Sequence, residues 1–467
     1  MFLGIDLGTG SIKVLLMDQE GEIRAVHSQT YRPSTPQRGW AEMDPAVWWQ
    51  ALKTTLSQLP GHLRDQVEAI SFSGQMHGAV LTRQDGIVTH PAVLWLDQRS
   101  ALELLDYPEG AAEQLLNPLT VGMMGPSLRW LLKHRPAALE QADHVFLPKD
   151  HLRFLMGGDP CTDPSDSTGT LLAHPDGSWN WELIEALGLP ARLFPEVRSS
   201  HSIGGHLSAF AAAELGLPGG IPMAVGGGDT PCAALGSGLV LAGQTQLTTG
   251  TGAQLITLTG SRPAFHPALN AYRAVTDHWY VMAAMQNAGV ALEWVRNSLG
   301  FSWPDAYDAA FEQETSVVFL PYLSGERTPI MDPGARGAWL NLQPGTSRGE
   351  LMRAALEGVA FSIRDGLGAL KQQHDVNSLR LAGGGSGDAR WQQLLADVLQ
   401  LPLQPVAALH SSGKGAAMLA AAGVGHPFER WIQQDPVREV SPVGQDPFAE
   451  KFLKFKDAYA RLAGWSF

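Results

Sequence analysis

At 467 residues, 44% of them hydrophobic and only 17% charged, the chain is long enough for roughly two or three domains and too apolar to be disordered. Its 33 basic and 46 acidic residues leave a net charge of −13 with no basic cluster, which argues against nucleic acid as a partner. Cys161 and Cys232 lie far apart without CxxC or histidine spacing, and no basic leader or run of 18 apolar residues occurs, so free thiols, no membrane span and a cytoplasmic location are expected.

The first thirty or so residues read as a three-strand meander. Asp6-Leu7-Gly8-Thr9-Gly10-Ser11 turns between the apolar runs Phe2–Ile5 and Ile12–Met17, and Ile23–Ser28 follows. Asp44 then caps a helix with Pro45 at its first position. Trp48, Trp49 and Leu52 share its inner face. Val67–Ser71 is a strand leading into Gly74-Gln75-Met76-His77-Gly78, and Ala79–Leu81 and Ala92–Leu96 read as further strands. The next stretch is helical and loop-rich, with helices at Pro126–His134 and Trp181–Leu187. Ile221–Val225 is an apolar run ending in Gly226-Gly227-Gly228-Asp229, with a helix from Pro231.

A second turn, Thr248-Thr249-Gly250-Thr251-Gly252-Ala253, repeats the Gly-Thr-Gly of the first between another pair of strands. Glycines at a hairpin tip let the backbone approach an anion, and threonine hydroxyls with successive N–H groups can hold phosphate oxygens. Two such turns, each opening a β-rich half, imply a duplicated domain with phosphate held between the halves. The boundary falls near Leu239, giving residues 1–239 and 240–467. Further on come a helix at Gly349–Leu367, a strand at Leu379–Ala382 running into Gly383-Gly384-Gly385, helices at Ala389–Leu399 and Gly413–Ala422, and a terminal helix after Gly444.

Both glycine triplets follow a strand and are expected to open a helix, which points N–H groups and a positive dipole end at an anion. Neither continues as GxGxxG: Pro231 and Asp388 stand where the last glycine belongs, and no GxxxxGK[ST] exists, so a dinucleotide fold and a P-loop are disfavoured. Asp6 ends the first strand, where a carboxylate needs a metal ion or Lys13 as partner. Asp229 reads equally as a helix N-cap and as a proton acceptor, and the two are compatible.

At this point the ordered motifs carry a resemblance. GIDLGTGSIKVLLMD, GWAEMDPAVWWQA, SGQMHGAVL, LWLDQR, LPKDHLR, SDSTGT, GGGDTPCAALGSG, LPYLSGERTP, ARGAWLNL, LEGVAFSIRDGL and AGGGSGDARWQQLLAD run in order over nearly the whole chain, which resembles the FGGY carbohydrate kinases and, within them, the xylulokinase branch. The resemblance implies an α/β fold of two ribonuclease-H-like domains, of the actin and hexokinase type, flanking a cleft. It implies ATP and Mg²⁺ with a small sugar as substrate, D-xylulose becoming D-xylulose 5-phosphate. Asp229 would be the general base, and Asp6 would help hold Mg²⁺ and the transferring phosphate. Gly8, Thr9, Gly10, Gly250, Thr251 and Gly252 would frame the phosphates. Gly383, Gly384, Gly385 and Asp388 would line the adenosine pocket. Met76 and His77 would contact the ketose, His77 through a directional N–H, with Gln75, Trp95 and Asp97 nearby.

Asn341, Thr346, Asp388 and Arg129 depart from the usual family pattern, which bears on the nucleotide. Ribulose, gluconate and glycerol stay open as acceptors, and a nucleotide-gated binding module without catalysis is the rival from another class. Oligomeric state, a homodimer included, is left open.

Overall fold

The computed structural model describes residues 1–406, 408–432 and 438–465. Two mixed sheets organise it, and each is built in the same order. In the first unit β1 (Phe2–Leu7), β2 (Ser11–Met17) and β3 (Ile23–Thr30) form the antiparallel meander. Helix α1 (Pro45–Ser57) follows, with Asp44 accepting the Ala46 amide at 2.9 Å as its N-cap. Trp48 and Leu52 are buried under it and Trp49 is half-buried. Strand β4 (Ala69–Gly74) returns parallel to β1. A long insertion comes next, holding α2 (Met124–His134), α3 (Pro148–Leu155) and the single turn α4 (Pro164–Ser167). Strands β5 (Ile203–His206) and β6 (Pro222–Ala224) close the sheet in the order β5-β6-β4-β1-β2-β3. The segment expected as a strand at Ala92–Leu96 is ladder only at Ala92–Val93.

Gly227–Gly228 forms a two-residue strand, β7, beside Ser73–Gly74 of β4, and α5 (Asp229–Gly236) starts immediately after it. The second unit then repeats the plan. Strands β8 (Thr245–Thr249) and β9 (Ala253–Thr259) flank the second hairpin, with β10 (Asn270–Arg273) and β11 (Trp279–Met285) beyond them. Helices α6 (Gly289–Ser298) and α7 (Arg348–Leu370) precede β12 (Leu379–Ala382), which runs parallel to β8 as β4 does to β1. Helix α8 (Ala389–Leu399), β13 (Leu403–Pro405), α9 (Ser411–Gly423) and α10 (Ala449–Leu462) complete it, the sheet reading β10-β11-β9-β8-β12-β13. The shared topology makes the repeat a property of the whole unit and not only of its hairpin.

Each unit has its own apolar core, and a third core fills the helical insertion. A fourth joins residues distant in sequence: Phe2, Leu15 and Met17 of the first meander pack with Ala417–Ala421 of α9. The helix after β13 therefore covers the first sheet, although it lies in the 240–467 stretch. Small residues permit this. A Cβ on Gly4 would overlap the Gly413 carbonyl, one on Gly236 the Ser411 carbonyl, and one on Gly415 the Cys232 carbonyl. Helices α5 and α9 thus cross backbone against backbone.

The insertion also touches the second unit. The Asn117 side chain donates to the Ala271 carbonyl at 2.9 Å and accepts the Ala271 amide at 3.1 Å, and Thr168 Oγ1 accepts the Arg273 amide at 3.1 Å. No helix among the described residues is long and apolar enough to cross a membrane.

The α5–α9 crossing has no room for a methyl group. Gly415→Ala is expected to destabilise the protein by ~1–3 kcal/mol or more through overpacking, read as a lower urea midpoint; a midpoint equal to wild type would show slack at that contact.

Candidate active site

The first hairpin brings Asp6 to the end of β1, opposite Lys13 on β2. One Asp6 oxygen accepts the Ser73 hydroxyl at 3.0 Å, and Lys13 Nζ stands 4.0 Å from the other. Burial outweighs both and raises the carboxyl above its usual range. At the tip, Gly8 donates to the Ser11 carbonyl at 2.9 Å, and its own carbonyl accepts Tyr31 Oη at 2.6 Å. The Thr9 and Gly10 amides donate to nothing among the described residues, which leaves two N–H groups for an anion. Trp95, 41% exposed, donates its indole N–H to Thr9 Oγ1 at 2.8 Å.

Asp229 is the first helical residue of α5, and Gly228 is the N-cap without any side-chain hydrogen bond. The N-cap expectation for Asp229 is thereby corrected: its Oδ1 accepts the Thr230 amide at 2.6 Å and the Thr230 hydroxyl at 3.2 Å, one residue along. Burial, then the negative field of Asp6, pushes this carboxyl up to about 6. Two half-buried carboxylates thus share a region in which Lys13, 4.0 Å from Asp6, stands off at the edge of ion-pair distance. Oxygen donors short of positive charge suit a hard divalent cation that keeps its waters. Among the described residues no group of three or more His, Cys, Asp or Glu forms a closed metal cage.

Met76 and His77 lie on the other side of this loop. Met76 is buried against Gly228, with Tyr280 Oη 3.9 Å from its sulfur. His77 sits at φ 74, a left-handed conformation rare outside glycine and asparagine. Its Nδ1 lies 2.6 Å from the Gly169 carbonyl, which can only accept, so Nδ1 carries the proton. The expected directional N–H is spent there. Burial pushes the imidazole down to about 4, so it is neutral and presents Nε2 as a lone pair, an acceptor for a hydroxyl. The Tyr272 ring lies 5.9 Å from it, and the Tyr272 hydroxyl is buried without a hydrogen-bond partner among the described residues. Tyr272, Tyr280 and Arg327 complete this wall from the second unit, Arg327 within field range of both His77 and Tyr272. Sequence reading passed over the two tyrosines because they look like ordinary strand residues. Arg327 lay inside a quoted motif without a role.

Gln75 is buried, its amide 3.4 Å from the Gly8 carbonyl. Asp97 is buried and occupied. It accepts the Ala41 amide at 2.6 Å and pairs with Arg99 at 2.7 Å, and Arg99 also pairs with Glu42 at 2.8 Å and covers Trp40. It braces the segment that carries Trp95.

The second hairpin mirrors the first, with the Thr251 and Gly252 amides again donating to nothing among the described residues. The Gly250 and Thr251 carbonyls accept the amides that open α6, at 3.0 Å from Gly289 and from Val290. Gly383, at φ 101, lies against Thr249, so the triplet and the hairpin form one surface. The triplet does not open a helix directly: a 3₁₀ turn at Gly384–Ser386 intervenes, and Asp388 caps α8. Asp388 also pairs with Arg390 at 3.0 Å, which holds its carboxyl below the usual range. Of the departures from the family pattern, Asn341 adopts φ 64, which asparagine tolerates nearly as well as glycine. Thr346 Oγ1 accepts the Gln343 amide at 3.0 Å, and Arg129 pairs with Asp106 at 2.7 Å.

Residues 1–236 match the N-terminal domain of the FGGY family of carbohydrate kinases, and residues 246–424 match its C-terminal domain. A xylulose kinase of Escherichia coli is 35% identical over 414 residues, covering 85% of this chain and 84% of that protein. A solved structure from Brucella ovis, titled a "xyloylose kinase", superposes with a TM-score of 0.93 at 31% identity and 100% coverage of both chains. A gluconate kinase from Lactobacillus acidophilus, at 23% identity and TM-score 0.92 over 99% of this chain and 98% of its own, shares the fold.

The tautomer at His77 is open to direct observation. Nitrogen-15 spectra are expected to show a neutral ring protonated at Nδ1 from about pH 6 upward. A ring protonated at Nε2, or doubly protonated at that pH, would contradict the assignment.

Proposed function

Because the chain belongs to the FGGY family of carbohydrate kinases and is an ATP-dependent sugar kinase, we propose that its acceptor is D-xylulose, its product D-xylulose 5-phosphate, and Asp229 its general base. The observation that carries the mechanism is the half-buried Asp229 at the start of α5, its proton affinity raised toward neutrality by desolvation and by Asp6. A base works best when its pKa lies near the working pH, and about 6 leaves it mostly ionised yet still basic at neutral pH. The choice of xylulose rests on the 35% identical relative and on the wall made by Met76 and His77.

In this reading the sugar's carbon face lies on Met76, and one hydroxyl donates to His77 Nε2. Asp229 accepts the proton of the terminal hydroxyl as its oxygen bonds to the γ-phosphorus. The bond from that phosphorus to the β–γ bridging oxygen breaks, and ADP leaves. The Thr9 and Gly10 amides and those of Thr251 and Gly252 are aimed at phosphate oxygens, where fixed donors stabilise developing charge without reorganising. Gly383, Gly384 and Gly385 give the nucleoside a surface free of side chains, with Asp388 at its rim. Trp95 orients Thr9, and Asp97 and Gln75 hold the surrounding loops. Asp6 would hold Mg²⁺, which neutralises phosphate charge when bound.

Asp229→Asn is nearly isosteric and should fold normally. It is expected to lower kcat by ~10²–10⁴-fold; wild-type turnover would refute the base. In the wild type, kcat/KM for the sugar should fall as pH drops through about 6, because protonated Asp229 cannot accept a proton. A profile flat down to about pH 5 would do the same.

The acceptor is decided by an ADP-release assay across D-xylulose, ribulose, gluconate and glycerol, with xylulose expected to give the highest kcat/KM. His77→Ala should raise KM for xylulose and narrow its lead, because the hydroxyl it accepts is left unpaired. Should gluconate or glycerol lead in the wild type, the substrate changes and the kinase chemistry stands.

A further inference from the structure

Behind the catalytic loop lies a group of charges that the reaction does not use. Lys149, Asp150 and Arg153 of α3 and Asp163, Ser165 and Asp166 at α4 are all fully buried. Lys149 Nζ stands 2.7 Å from Asp150, 3.1 Å from Asp163 and 3.2 Å from Asp166, and Arg153 stands 3.2 Å from Asp150. Removing so many charges from water costs several kcal/mol per ion, and an apolar packing of equal volume is often as stable or more so. Stability alone is therefore a weak reason for the cluster to be there.

Its hydrogen bonds lead to the catalytic loop. Asp163 Oδ2 accepts Ser165 Oγ at 2.6 Å, the Ser165 amide at 2.9 Å and Ser200 Oγ at 2.8 Å. A hydroxyl has one proton, and that of Ser165 is committed to Asp163, so its lone pairs face the other way. There it accepts the Gly228 amide at 3.0 Å. Gly228 immediately precedes Asp229 and is the α5 N-cap without a side-chain bond of its own. A Cβ on Gly227 would stand 3.0 Å from Ser165 Oγ, so the loop has little freedom to retreat. On its other side β7 pairs with Ser73–Gly74, and a Cβ on Gly74 would stand 2.7 Å from Lys149 Cβ. Ser73 in turn holds Asp6. Lys149 thus reaches the loop before Asp229 through Asp163 and Ser165, and its stem lies against β4, whose Ser73 holds Asp6.

We propose that Ser165 is a positioning residue for the general base: its hydroxyl, fixed by Asp163 on the Lys149 ammonium, holds the Gly228 amide and so aims Asp229 at the acceptor hydroxyl. The inference rests on Asp229 being the base. It does not depend on which sugar is the acceptor. Asp166 fits the same frame. It stands 3.2 Å from Lys149, and burial with the two neighbouring aspartates raises its carboxyl well above the usual range.

The test uses the full-length enzyme and whichever acceptor the wild type turns over fastest. Ser165→Ala is expected to lower kcat ~10–100-fold, the scale of a small misplacement of a reacting group. The KM values for sugar and ATP should stay within about two-fold and the melting temperature should barely move. Ser165→Cys keeps the size with a poorer acceptor; it should give an intermediate kcat and covers the case in which the alanine variant does not fold. A kcat within about two-fold of wild type in both variants overturns the proposal. So does a rise in KM with kcat unchanged, or a loss of kcat that tracks a lowered melting temperature. Asp229→Asn, run alongside, separates this failure from that of the base itself: if it retains turnover, Ser165 has no base to aim.

Discussion

Backbone contact between α5 and α9 fixes where Asp229 can be. Where two helices meet through side chains, rotamers can adjust and the helices can slide. Here Gly236 and Gly415 bring main chain onto main chain, and a further glycine, Gly4, lets α9 lie on β1. Helix α5 carries Asp229, the proposed base, at its first residue, so its axis sets the direction of that side chain. The partner helix comes from near the other end of the chain. Asp229 is therefore in place only once the second unit has been traversed and the chain has returned to the first sheet, which ties its placement to completion of the fold.

The protein holds two groups of carboxylates away from bulk water, one fully buried and one half-buried, and treats them differently. Asp150, Asp163 and Asp166 surround a lysine, and Arg153 adds a second cation. Asp6 and Asp229 have only Lys13, at 4.0 Å from Asp6. The first group is nearly neutral as a whole and serves as a platform. The second is left short of positive charge: burial raises both proton affinities, the negative field of Asp6 adds to that of Asp229, and Lys13 offsets only part of the effect on Asp6. Burial and the neighbouring Asp6 give Asp229 the basicity its proposed role needs, and the sparse positive charge suits the cation proposed to arrive with the nucleotide.

Much of the architecture was legible because local rules suffice for it. Apolar runs around Gly8 marked the first meander, those around Gly250 marked the paired strands β8 and β9 but not β10 and β11, and Asp44 with Pro45 marked the start of α1 correctly. What escaped depends on partners far along the chain. The proton on His77 is set by the carbonyl of Gly169, and no spacing rule joins the two. Lys149 and Asp150 lay inside a quoted motif without a role; only the fold brings Asp163 and Asp166 to the lysine. The small residues of Gly413–Ala422 suggested a helix, and their purpose, passage across the first sheet, appears only when Gly4 and Cys232 come into contact with it. Asp229 was placed one position early because a glycine N-cap leaves no side-chain signal.

The contact of Asn117 with Ala271 has a consequence for solubility. Strand β10 is the outermost strand of the second sheet, and an outer strand offers a row of free N–H and C=O groups on which another chain can template itself. The Asn117 amide meets both groups of Ala271 as a neighbouring strand would, and Thr168 takes the next outward-facing amide, that of Arg273. Two side chains from the insertion therefore impersonate a seventh strand. They close the ladder without adding backbone that could itself be paired, and so deny a second copy of the protein a foothold for sheet extension.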